Sequence, residues 1–272
     1  MSRRLVAGAL LALTLSAVGG LLAARAASAD GTVATPVGPV LVSADGRRVS
    51  ITETGQCLGS GVLRAREDDS VVALDFRMVP HSGRCVGGPQ LLVWSVGLAA
   101  PLAARRLVDA DGGAPVTVFR GADLLRPSAL PPGYRLAYDA PGYAPGDEAS
   151  GAVGGASTQW DPAVSTLFVH DGPGGPGSLW LVEEYGRHWP DGWPADPPLV
   201  TAQGRLARVG PNGLAWQERT GDGTPLSLAL LSDAGLPTTS LLRVADSLAP
   251  VPCRTPAGNR PLTRPPCARL VQ

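Results

Sequence analysis

The sequence predicts a mainly β protein of the β-rich α+β kind. It should hold antiparallel sheets in two small modules, with one C-terminal helix packed on the second sheet. Three observations predict this. Val72, Leu74, Phe76 and Met78 fall on one side of a strand pattern and Asp75 and Arg77 on the other, the period of two of a half-buried strand. Turn signals recur at Asp45-Gly46, Pro211-Asn212-Gly213 and Gly221-Asp222-Gly223. With 35 Gly and 27 Pro in 272 residues, turns are favoured over long helices.

Residues 1–29 read as an export signal. Arg3 and Arg4 precede an apolar run over residues 5–24, and Ala27-Ser28-Ala29 supplies a small-x-small cleavage site ahead of Asp30. Ser2-Arg3-Arg4-Leu5 is compatible with twin-arginine as well as general export. The apolar run is also long enough to span a bilayer, so an uncleaved anchor is the alternative. Cleavage would place the protein in a secreted or extracytoplasmic location, and an anchor would hold it facing outside.

Residues 30–118 read as a β module. Val40-Leu41-Val42 and Arg48-Val49-Ser50-Ile51 flank the Asp45-Gly46 turn as a hairpin, and residues 91–98 form another apolar strand around Trp94. Residues 119–249 read as a second module. Its strands are expected at 134–138, 166–169, 179–185, 206–209, 214–218 and 226–231, and short spacing implies an antiparallel meander. Residues 141–157, rich in Gly, Ala and Pro, read as a mobile loop. Thr238 or Thr239 is placed to cap a helix whose face carries Leu241, Leu242, Ala245 and Leu248, with Pro250 ending it. Residues 250–272 form a Pro-rich tail with Arg254, Arg260, Arg264 and Arg269 and no acid.

Composition excludes several functions. The chain has 23 basic residues, all Arg and none Lys, which rules out a Walker-type phosphate loop, a Schiff-base lysine and a kinase. Loss of residues 1–29 removes Arg3, Arg4 and Arg25 but none of the 23 acids, leaving a net charge of about −3. No nucleic-acid partner is expected at that charge.

Cys57, Cys85, Cys253 and Cys267 form an even set, and export favours disulfides. Four cysteines allow three pairings. Sequence proximity favours Cys57–Cys85 and Cys253–Cys267, the second closing a loop worth about 3 kcal/mol. A four-Cys zinc site is the alternative, although no Cys-x-x-Cys pair occurs. No cofactor or metal is expected.

Candidate sites are few. Tyr185, His188, Trp189 and Trp193 form the densest aromatic cluster, able to stack on a sugar or peptide or to pack as a small satellite core. The loop from His170-Asp171-Gly172 to Gly177 is like a hydrolase oxyanion loop, but Gly59-Ser60-Gly61 lacks the spacing of a nucleophile elbow. His81, His170 and His188 are not at metal-ligand spacing. Glu183 and Glu184 are adjacent on a strand, point to opposite faces and read as structural.

The first module resembles a recurrent exported actinobacterial module. The residues that carry this are Val40 to Arg47, Cys57, Leu63-Arg64-Ala65-Arg66-Glu67, residues 71–76, Val96-Gly97-Leu98, Pro101-Leu102 and Arg105 to Asp109. The resemblance implies a small disulfide-bearing β unit without activity. The second module, through Leu130-Pro131-Pro132-Gly133-Tyr134, Gly213-Leu214-Ala215-Trp216 and Leu241 to Leu248, is distantly similar to periplasmic regulators of the MucB/RseB type. That resemblance implies a binding or sensing role. The expectation is therefore a non-enzymatic recognition protein whose partner is a protein, a peptide or an envelope polymer. The alternatives are a signal-anchored envelope sensor and, third, a hydrolase using the His170 loop.

Overall fold

The computed structural model describes residues 31–55, 58–80, 90–143, 145, 163–172, 176–186, 189–190, 193–220 and 223–250. They form a mainly β protein in which antiparallel pairing dominates and one helix occurs.

Two four-stranded sheets pack face to face in the N-terminal unit. The first holds β1 (Val33–Ala34), β4 (Gly61–Glu67), β5 (Val71–Met78) and β7 (Arg106–Asp109), with β5 at its centre. The second runs in the order β6 (Gln90–Gly97), β3 (Arg48–Gly55), β2 (Val40–Val42), β8 (Val118–Arg120). Alternation places Val72, Leu74 and Phe76 inward from β5, where they meet Val40, Val42, Val49 and Ile51 from the other sheet. Each such buried side chain stabilises the fold by about 1.5–3 kcal/mol. Gly46 takes φ of 73° in the β2–β3 turn, which only glycine adopts without strain. The outward residues Asp75 and Arg77 form an ion pair at 3.0 Å.

The C-terminal unit is built on one seven-stranded antiparallel sheet. Its order is β10 (Tyr134–Pro141), β11 (Ala163–His170), β12 (Gly177–Tyr185), β16 (Pro225–Ser232), β15 (Gly213–Arg219), β14 (Arg205–Gly210), β13 (Leu199–Ala202). The runs β10 to β12 and β13 to β16 are each antiparallel meanders, as expected, but they are not joined in chain order. After β12 the chain crosses to the far edge at β13 and meanders back, so that β16 joins β12. A buried apolar row on β16, Leu226, Leu228 and Leu230, gives β12 a better central partner than the more exposed β13.

One face of this sheet, with Leu179, Leu181, Leu214 and Trp216, is covered by α1 (Thr238–Asp246) through Leu241, Val244 and Ala245. Pro237, not a threonine, occupies the N-cap, and no side chain caps the helix. The Pro237 carbonyl accepts from Ser240 and Leu241 instead. Nor does Pro250 end the helix. Ser247 closes it, its hydroxyl donating to the Val244 carbonyl at 2.8 Å. Leu248 and Pro250 belong to β17 (Leu248–Pro250), which pairs with β9 (Leu125–Pro127) in a ribbon over the same face. The boundary read after residue 249 thus falls inside β17, and the one read after residue 118 falls inside β8, which pairs in parallel with β2. Pro141 also belongs to β10 rather than to a loop, and Gly142 donates to the Ala163 carbonyl at 2.7 Å.

The two units meet across a small apolar seam. Leu41, Phe119, Leu124 and Val164 are buried there, and the Phe119 and Tyr185 rings stack at 5.1 Å with planes 4° apart. Stacking of this kind adds about 0.5–1.5 kcal/mol beyond the area it buries.

Candidate functional site

Beside this seam lies a cleft of about 370 Å³. One wall is the outer face of the β6–β3–β2 sheet. Register explains its character: Leu41 lies opposite Ser50, and Ser50 opposite Ser95, so these residues share the face turned away from the first core. Arg48, two residues from Ser50 on β3, and Val93, two from Ser95 on β6, extend the wall. The other wall is the β10 edge, with Tyr138 and Asp139, together with Arg126 from β9.

The polar groups differ in how far they are committed. Arg126 donates from one nitrogen to both Asp139 carboxylate oxygens at 2.8 and 2.7 Å, and from the other to the Thr166 hydroxyl at 2.8 Å. Thr166 in turn donates to Asp139 at 2.7 Å. Both terminal nitrogens of that guanidinium are thus engaged by its neighbours. The Ser43 hydroxyl donates to Asp45 at 2.6 Å and accepts the Arg48 amide at 2.9 Å. Ser50 and Ser95 share one hydrogen bond at 2.8 Å. The Arg48 guanidinium makes no ion pair among the described residues.

Behind the cleft sits Glu183 on β12, 4% exposed. Its carboxyl oxygens accept the Leu125 amide at 3.0 and 3.2 Å. Burial drives its pKa from 4.5 up to about 8, against the opposing pull of Arg126 and the Leu125 hydrogen bond, while Asp139 and Asp123 push it further up. Asp123 is itself raised by burial, with Arg120 opposing. Glu183 is therefore neutral at pH 7. In the sequence it reads as structural, and its environment was missed. The available signal was its phase: Glu183 continues the inward row of Leu179 and Leu181, an acid where an apolar residue is expected.

The aromatic cluster does not form as one surface. Tyr185 packs against Phe119 and the helix-side core, whereas Trp189 and Trp193 pack on the opposite face of the sheet with Ala163, Val182, Ala215, Ala229 and Leu231. Strand alternation carries Tyr185 to one face, and the chain then turns under the other. Arg208 sits 4.0 Å over the Trp189 ring, and the Trp193 ring lies against Gly210. His188 lies outside the described residues.

His170 ends β11, its ring 5.2 Å from that of Tyr134, and its Nδ1 accepts the Gly172 amide at 3.4 Å. Asp171 pairs with Arg135 at 2.5 Å rather than with His170. Residues 1–30, His81, the four cysteines Cys57, Cys85, Cys253 and Cys267, and the tail arginines all lie outside the described residues. Among the described residues no group of three or more His, Cys, Asp or Glu could hold a metal ion, and no helix is long and apolar enough to cross a membrane. The chain matches no protein-family model, no curated protein and no solved structure.

Proposed function

We propose that the chain is an exported, non-enzymatic recognition protein that binds an envelope component in the cleft between its two units. The observation that carries this is the asymmetry of the cleft walls. One cation and a pair of hydroxyls are left for a ligand, while every other ion in the lining is neutralised by a neighbour. The volume lies near the lower end of the range of small-molecule sites, about 300–1,000 Å³. The walls are strands of two sheets, which hold such groups in place with little ordering cost on binding. Trp189 and Trp193 serve as packing for the back of the large sheet.

The test is capture from envelope extracts by the wild-type chain, Arg48→Gln and the double variant Trp189→Ala, Trp193→Ala. The proposal expects capture to fail with Arg48→Gln and to persist with the double variant. Capture indifferent to Arg48→Gln would refute it.

The apolar run over residues 5–24 supports a second reading, an anchored sensor carrying the same cleft outside the membrane. N-terminal sequencing of native material separates the two. Asp30 first means release, and an intact start means anchoring.

A further inference from the structure

We infer that the cleft takes a carboxylate-bearing saccharide, held by the Arg48 guanidinium and the paired hydroxyls of Ser50 and Ser95. This rests on the recognition reading above and names its ligand class.

The hydrogen-bonding inventory of the walls leads to it. The lining holds two guanidinium groups, Arg48 and Arg126, and one carboxylate, Asp139, both of whose oxygens accept from Arg126. The uncompensated charge is positive and sits on Arg48. A guanidinium fork matches a carboxylate with two parallel N–H donors. The Ser50–Ser95 bond consumes one of two hydroxyl protons, so the pair keeps one donor and spare lone pairs. A group that both donates and accepts is the natural complement, and a sugar hydroxyl is one. Val93 and the Tyr138 ring add apolar surface of the kind a sugar presents on its C–H face.

Other ligands fit less well. A lone phosphate would use Arg48 but leave the serine pair and the Tyr138 ring unused. Nucleic acid needs several phosphate-binding cations, and the cleft offers one. A peptide C-terminus would satisfy Arg48 and could pair its backbone along the β10 edge, but it brings no single group that both donates to and accepts from the serine pair.

The experiment is amide-shift mapping of the isotope-labelled full chain during titration with D-glucuronate, D-glucose, acetate, inorganic phosphate and acetyl-Ala-Ala. Glucuronate should shift Arg48, Ser50, Ser95 and Tyr138 saturably, and glucose and acetate should each bind about tenfold more weakly, the scale of a lost charge-assisted hydrogen bond. Arg48→Gln, at an exposed position, should melt as wild type and lose about tenfold in glucuronate affinity. Ser50→Ala with Ser95→Ala should weaken glucuronate but not acetate. Glucose binding as tightly as glucuronate, phosphate or acetyl-Ala-Ala binding more tightly, or an unaffected Arg48→Gln would overturn the inference. If glucuronate fails while Arg48→Gln still abolishes envelope capture, the ligand class falls and the recognition role stands. If capture also ignores Arg48→Gln, both fall.

Discussion

The backbone amide of Leu125 donates to both carboxyl oxygens of Glu183, at 3.0 and 3.2 Å, and so fastens β9 to the middle of the large sheet. The partners are 58 positions apart in sequence. Arg126, the next residue on β9, reaches Asp139 and Thr166. One strand thus joins a buried acid to the wall of the cleft.

Stability should fall as pH rises. Glu183 keeps its proton in the folded chain to about pH 8, whereas the same group unfolded ionises near 4.5. Between those values the folded state holds the extra proton, so raising pH favours unfolding. The groups facing it are Arg126, Asp139 and Asp123, and burial is the largest cause. The fall should total a few kcal/mol, at about 1.4 kcal/mol for each pH unit by which the titration is displaced. Glu183→Gln should remove this component, so the variant should gain on wild type from pH 5 to pH 8 in urea unfolding. Parallel profiles for the two proteins would contradict the assignment.

Arg126→Ala should cost about 1–3 kcal/mol, because it strands the partly buried Asp139 and Thr166 without their cation. It should also move the Glu183 titration still higher, since the Arg126 charge is the largest influence favouring ionisation. Carboxyl carbon shifts followed against pH measure that directly. An unchanged Glu183 midpoint would show that the two groups do not interact.

How much of this was legible follows from the range of the contacts. The alternation at Val72, Leu74 and Phe76 and the turn at Asp45-Gly46 are local, and both appear where the sequence places them. The neighbour of β12 was not legible, because β13, β14 and β15 intervene in sequence before β16 pairs with it. Three-residue strands such as β8, β9 and β17 carry no period, and each exists through a distant partner. The cleft joins Ser95 to Tyr138 across separate sheets, so no motif announces it. Glu183 showed its phase but not the Leu125 amide that receives it.

Gly213→Ala should destabilise by about 3 kcal/mol or more, the upper end of single-residue effects. An added Cβ would lie 2.0 Å from the Leu230 carbonyl oxygen, a backbone atom that cannot move without breaking the β15–β16 ladder. Gly97→Ala, with nothing within 4 Å of its Cβ, is the control and should be neutral within about 0.5 kcal/mol. Equal melting temperatures for the two variants would refute this account of the strand contact.

Trp189→Ala should cost about 2 kcal/mol, from lost packing on the back of the sheet and the lost Arg208 contact. Its ligand affinity should equal that of wild type. A binding defect at unchanged stability would return the function to the aromatic loop.

The most direct test of cleft recognition is hydrogen exchange on the full chain with and without envelope polymer. Protection is predicted at residues 41–50, 93–95 and 138–139, which line the two walls. Protection confined to residues 185–193, with the cleft walls unchanged, would contradict the account.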